Sequence, residues 1–306
     1  MIKCIFIFIL TVSMPECLFA ARPDQPILWT IASSEDGKHF ATGASDGNLT
    51  IYLSKNNTVV KSYKFAHAVQ SVAWNSKYPL LAVGLDAEPA KIINTETFSI
   101  ITTETKYGSR AVDWKPDGTL LAIGDYEGIL VLCNQNGVKV KEIKKSDTKS
   151  FITVHWHPFK NEILTGSDKI ISFDTSGNII LDIKHRPENT ILLTVRWHPE
   201  GSLFAAGDYG QKENNIISLL QFWDANGRLI NSFSESKAEF RNVRWNKAGT
   251  ILASSSDCLR TWSVEKGLTE TRRSSCLLWG LSWLNNDKSI ATGDEKGKLR
   301  RWTYGR

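Results

Sequence analysis

The chain has no hydrophobic run long enough to cross a bilayer as a helix. Its densest apolar stretch, Cys4 to Val12, covers nine residues, against the roughly 20 that a span requires. No segment carries the 3.6-residue apolar period of an amphipathic helix, so no Gly-rich phosphate loop has a helix to lead into. The five cysteines are not closely spaced; Cys4 and Cys17 lie near the start and leave Cys133, Cys258 and Cys276, which form neither a disulfide framework nor a zinc pattern. Of six histidines, His155 and His157 share one side of a strand, but His157-Pro158 and His198-Pro199 occupy the turn that Lys115-Pro116 occupies elsewhere, which favours a turn role over metal binding. Lysines and arginines are scattered, the nearest approach to a run being Lys139 to Lys149, and a net charge of +5 is mild, so nucleic acid is not the expected partner. No spacing singles out a pair of acids for glycosidase-like chemistry. These absences argue for a protein that is not an enzyme and uses no metal and no cofactor.

What the chain has is a repeat. Ser33, Trp74, Trp114, Trp156, Trp197, Trp245 and Trp283 are equivalent positions, separated by 41, 40, 42, 41, 48 and 38 residues. An aliphatic residue stands two places before each Trp, as in Val112, and a small-residue and Gly signature follows, as in Ala122 to Gly124. A period near 40 with four short strands per unit predicts an all-β, seven-bladed β-propeller of four-stranded antiparallel blades. The long fifth spacing comes from a polar insertion, Tyr209 to Asn215, which the pattern places on a surface loop. The turn acids Asp46, Asp86, Asp125, Asp168, Asp208, Asp257 and Asp294 recur once per unit; this marks them as acceptors for their own turn N–H groups rather than as catalytic groups.

Two readings compete at the amino terminus. Lys3, the apolar run and Ala20-Ala21 have the order of a secretory signal peptide, residues 1–20. The seventh unit, however, has only three recognisable strands, and an open outer edge is a liability, so a segment of about Cys17 to Pro23 is the expected closing strand. The propeller itself is assigned to residues 21–306. Cleavage would place the protein outside the cytoplasm, secreted or periplasmic; retention would leave it cytoplasmic.

Phe222-Trp223-Asp224, Thr261-Trp262-Ser263 and Arg301-Trp302-Thr303 resemble the Trp-Asp dipeptide that closes each repeat of the WD40 family, and Ala66-His67 is similar to its opening Gly-His. The resemblance extends over about residues 27–304. It implies a scaffold that binds proteins, and a buried His–Ser/Thr–Asp–Trp network for which His67 is the expected histidine. The closing Trp is replaced in units one to four by Tyr52, Ile93, Leu132 and Phe173.

Strand alternation places residues four and six before each reference position at the channel mouth, on the entry-loop face. Those four back include Trp29, Gln70, Arg110, Ile152, Leu193, Arg241 and Trp279; those six back include Ile27, Glu239 and Leu277. Trp29 and Trp279 belong to units that become neighbours when the ring closes, so with Ile27 and Leu277 they are expected to form one apolar patch, flanked by arginines of the type that dominates interfaces. The expectation is a monomeric scaffold or adaptor that binds a protein or peptide through this face. The alternative is an extracytoplasmic propeller that binds or hydrolyses a small molecule or glycan.

Overall fold

A computed structural model describes residues 25–144 and 150–304; the candidate leader and the segment Cys17 to Pro23 lie outside them. The described residues form 27 strands in seven antiparallel sheets, each built from strands consecutive in sequence. Six sheets have four strands and the last has three. The first strands of the seven blades are Leu28–Ser33, Val69–Trp74, Ala111–Trp114, Thr153–Trp156, Leu192–Trp197, Asn242–Trp245 and Leu278–Leu284. Each packs on the first strand of the next blade, and Leu278–Leu284 packs back on Leu28–Ser33. The ring therefore closes with the first strands innermost around a central channel. No helix among the described residues is long and apolar enough to cross a membrane.

Alternation along each strand supplies two opposite apolar faces per blade. In blade 3, Leu121, Ile123, Val131 and Cys133 face Ala73, Ala82 and Ile92 of blade 2. Their neighbours Ala122, Leu130 and Leu132 face Phe151, Val154 and Trp156 of blade 4. Burial on both faces is why such strands read as continuous apolar runs instead of alternating ones. Seven clusters of this kind fill the seven blade–blade seams.

The recurring Trp has a polar task as well as an apolar one. The indole N–H of Trp74 donates to the Ala32 carbonyl of the preceding blade at 2.9 Å, that of Trp156 to Asp113 at 3.1 Å, and that of Trp283 to Arg244 at 2.9 Å. Trp245 makes the same bond to Arg196 at 3.4 Å. In these four blades the indole clips one inner strand to the next, whereas the indole N–H groups of Trp114 and Trp197 are buried without such a bond. Four of the seven turn acids behave as expected: Asp46, Asp125, Asp208 and Asp294 each accept backbone N–H bonds within their own turns, whereas Asp257 pairs with Arg260 at 2.7 Å.

His157 and His198 are turn residues. Nδ1 of His157 accepts the N–H groups of Phe159 and Lys160, and Nε2 then donates to the Gly201 carbonyl of the next blade at 3.2 Å. His198 repeats this with Glu200 N–H and the Gly249 carbonyl. A Cβ at Gly201 would lie 2.4 Å from the His157 ring, and Gly201 has φ +68°, so both space and backbone require glycine there. One expectation needs correction. His67 is half exposed, 4.0 Å from Glu88, and takes no part in a buried network. The histidine that does is His185, whose Nε2 meets Thr190 Oγ1 at 2.9 Å and lies 3.6 Å from the Asp208 carboxylate.

The entry-loop face as candidate functional site

The face is built by the loops that lead into the inner strands. Each loop is pinned to the second turn of its own blade: the carbonyls of Ile27, Ala68, Ile191 and Leu277 accept N–H bonds from Ser45, Asp86, Tyr209 and Glu295. Pinning fixes the residues two positions further on, which include Trp29 and Trp279. It also carries Ile27 below the surface, where it is 5% exposed. The expected apolar patch therefore lacks Ile27, while Leu277 is half-buried within it.

Trp29 and Trp279 do meet across the ring closure, with centroids 6.3 Å apart and planes tilted by 30°. Both are half-buried. The guanidinium of Arg241 lies 3.3 Å from the Trp279 centroid and pairs with Glu239 at 2.9 Å. Arg241 was expected to project from the face; it is buried instead, because the Glu239 carboxylate and the Trp279 ring together compensate its charge. Burial pulls its pKa down while Glu239 pushes it up, with Tyr209 and Glu295 also acting to raise it. The arrangement is a braced aromatic pair drawn from blades 7, 1 and 6, with Tyr209 of the insertion beside it.

Gln70 and Arg110 form a separate group. Arg110 Nη1 donates to Gln70 Oε1 in a short hydrogen bond, and Arg110 and Asp86 both act on the Tyr126 hydroxyl, whose pKa burial pushes up to about 12. Ile152 and Leu193 are half-buried on the far side of the ring, so they are not part of either group. Tyr126 and Tyr209 were not singled out from sequence. Each directly follows its turn Asp, and a comparison of that position across the units would have found them.

The insertion is ordered: Lys212–Asn214 forms a short 3-10 turn, and Gln211 bridges Ile216. Just beyond it, Ile217 is 57% exposed, and its carbonyl accepts a bond from Arg186. The opposite end of the propeller is apolar in another way. The outermost strands begin there with exposed pairs, Val59-Val60, Ile100-Ile101, Ile179-Ile180 and Leu229-Ile230, and Phe159 in a turn is 77% exposed. Among the described residues no group of three or more His, Cys, Asp or Glu side chains is placed to hold a metal ion.

Comparison with known proteins agrees with this architecture. Residues 72–158 match the family model described as the anaphase-promoting complex subunit 4 WD40 domain, and residues 17–52 match the WD domain, G-beta repeat. The second match starts before the candidate cleavage point after Ala20. The chain is 28% identical over 188 residues to the intraflagellar transport protein 122 homolog of Mus musculus, covering 59% of this chain and 16% of that protein. It is 25% identical over 230 residues to the mouse intraflagellar transport protein 80 homolog, covering 73% and 28%. To the ribosome biogenesis protein BOP1 homolog of Arabidopsis thaliana it is 23% identical over 234 residues, covering 72% and 29%. The chain thus spans less than a third of the length of each of these relatives.

Proposed function

The chain belongs to the WD40-repeat family, and from that premise we propose that it is a non-catalytic scaffold whose entry-loop face binds a protein or peptide. The family consists typically of protein-interaction scaffolds. The relatives' names refer to different processes, intraflagellar transport and ribosome biogenesis, so they support the shared module and none of those processes in particular. The observation that carries the choice of face is the Trp29–Trp279 pair, held half-exposed at the mouth of the channel by Arg241. Tryptophan fixed in place before binding loses little conformational freedom when a partner covers it, and Trp is among the residues that dominate interface energies.

The pair, Leu277 and the Glu239–Arg241 bridge would form the apolar centre, with Arg110 and Gln70 as a polar flank across the mouth. A partner segment with one or two apolar side chains and a basic or amide group for the Glu239 side matches that chemistry. The test is affinity capture from the native source with Trp29→Ser plus Trp279→Ser, compared with Phe159→Ser at the opposite end, each variant checked by thermal melting. Loss of co-purifying proteins in the first variant alone, with melting still cooperative, is the expected result. Loss through Phe159→Ser with the double variant unaffected would transfer the function to the other end.

A further inference from the structure

The position directly before each reference residue lines the channel: Ala32, Ala73, Asp113, His155, Arg196, Arg244 and Ser282. Three of these side chains stitch neighbouring inner strands together. Asp113 Oδ2 accepts the Trp156 N–H at 2.8 Å, His155 Nδ1 accepts that of Trp197 at 3.1 Å, and Ser282 Oγ accepts that of Ser33 at 3.1 Å. A side chain at this position needs an acceptor to make the stitch, and arginine has none. Yet blades 5 and 6 carry arginine, on adjacent strands.

Both guanidinium groups are anchored through one nitrogen. Arg196 Nη1 donates to the Val195 carbonyl at 2.9 Å and to the Val154 carbonyl at 3.2 Å. Arg244 Nη1 donates to the Val243 carbonyl at 3.0 Å and to Asn242 Oδ1 at 2.6 Å. All four acceptors are neutral. Among the described residues neither arginine has a carboxylate within ion-pair distance, although sixteen other pairs are formed. The single acid of the ring, Asp113, accepts the Trp156 N–H and acts on both arginines from beyond ion-pair distance. Two guanidinium groups against one carboxylate leave one positive charge in excess in the channel.

His155 adds a donor to the same wall. Its Nδ1 accepts a backbone N–H, so the ring proton sits on Nε2. Burial, reinforced by Arg196 and Arg244, holds its pKa well below the usual range, so the ring stays neutral at pH 7. Burial and repulsion from Arg196 likewise depress Arg244. On the other side of the ring Ala32, Ala73 and Ser282 are small and leave room.

We propose that the central channel is a binding site for a small oxyanion, a phosphate or a carboxylate, held between Arg196 and Arg244 with His155 as a further donor. Both guanidinium groups are half-buried with nitrogens left over, and a guanidinium presents a planar fork that matches these anions. Two such forks anchored on adjacent strands, with donors left over and only Asp113 to share between them, form a seat of that shape and sign. This site is distinct from the entry-loop face and does not depend on the reading of that face.

The test is the melting temperature of the full chain at pH 7.5, titrated with inorganic phosphate and, separately, with acetate, at ionic strength held constant with sodium chloride. A saturable rise with at least one of the two anions is expected, and the anion that produces it identifies the preferred chemistry. The rise should vanish in Arg196→Gln plus Arg244→Gln and persist in Arg228→Gln, whose side chain is 84% exposed. Should the double variant not fold, Arg244→Lys keeps the charge but loses the fork, and calorimetric titration should then show affinity at least about tenfold weaker, the loss of one charge-assisted bond. No rise with either anion in the natural chain, or an unchanged rise or affinity in the arginine variants, would overturn the proposal.

Discussion

The seam between blades 3 and 4 and the seam between blades 7 and 1 do the same job with different materials. The first buries eleven residues, among them Trp156, Phe151 and Phe173. The second buries four, Ile31, Phe40, Leu284 and Ala291, with Tyr52 and Leu299 partly covered. Blade 1 also has Ser33 where every other blade has Trp, so no indole can make there the bond that Trp74, Trp156, Trp245 and Trp283 make at their seams. Polar contacts take its place: Ser33 N–H to Ser282 Oγ at 3.1 Å, and Arg301 to the Ser54 carbonyl at 2.6 Å and Asn57 at 2.8 Å. Where apolar burial is thinnest, directional bonds hold the ring, and at that seam's entry end two tryptophans remain half-exposed. The seam with the smallest apolar cluster and the half-exposed tryptophan pair coincide.

That contrast can be broken at either seam. Trp156→Ala should cost the most, about 3–5 kcal/mol, because a fully packed ring leaves a cavity that neighbours cannot fill; chemical denaturation should show one cooperative transition at much lower denaturant. Phe40→Ala removes a ring stacked on Tyr52 at 4.8 Å and should cost about 3 kcal/mol. Its signature should be local: in hydrogen exchange, Leu28–Ser33 and Leu278–Leu284 should open before the other inner strands. Uniform opening would mean the closing seam is no weaker than the rest.

Smaller effects sharpen the picture. Ser282→Ala deletes the acceptor for the Ser33 N–H and should cost about 1 kcal/mol, read as a shifted denaturation midpoint. His157→Ala should cost about as much through its lost turn and Gly201 bonds, and it has a pH signature. Burial lowers the folded-state pKa of His157 below 6.5, so the unfolded chain binds the proton more readily. Its contribution is therefore fully present above about pH 6.5 and is lost as pH falls through the lowered folded value. Asp113 acts in the opposite sense: burial pushes its carboxyl up to about 6, against the pull of Arg196 and the Trp156 N–H, so between about pH 6 and 4 its protonation favours the folded state. Stability measured across that range should fall less in the natural chain than in Asp113→Asn. Phe159→Ser, at an exposed turn, should change stability by less than about 0.5 kcal/mol.

Blade number, strand phase and the turn acids were legible in the sequence because each depends on short-range chemistry: a two-residue alternation, an Asp that caps its own turn, a Trp at a fixed offset. The meeting of Trp29 and Trp279 was legible too, since register and ring closure suffice to place it. The burial of Arg241 was not, because Glu239, Trp279 and the insertion that brings Tyr209 close over it from three blades. His185 escaped notice because it stands twelve residues before Trp197, whereas His67 stands seven before Trp74; a longer loop moves the histidine in sequence while leaving it in place in space. The exposed pairs at the far end lie on outermost strands, which a comparison confined to inner strands does not reach.

The central claim is that partners dock at the junction of blades 7 and 1 on the entry-loop face. A photoreactive amino acid placed at position 279, and in a second preparation at position 159, tests this most directly by cross-linking in the native cell extract. The account predicts adducts of defined mass from position 279 and none from position 159; adducts from position 159 alone would contradict it.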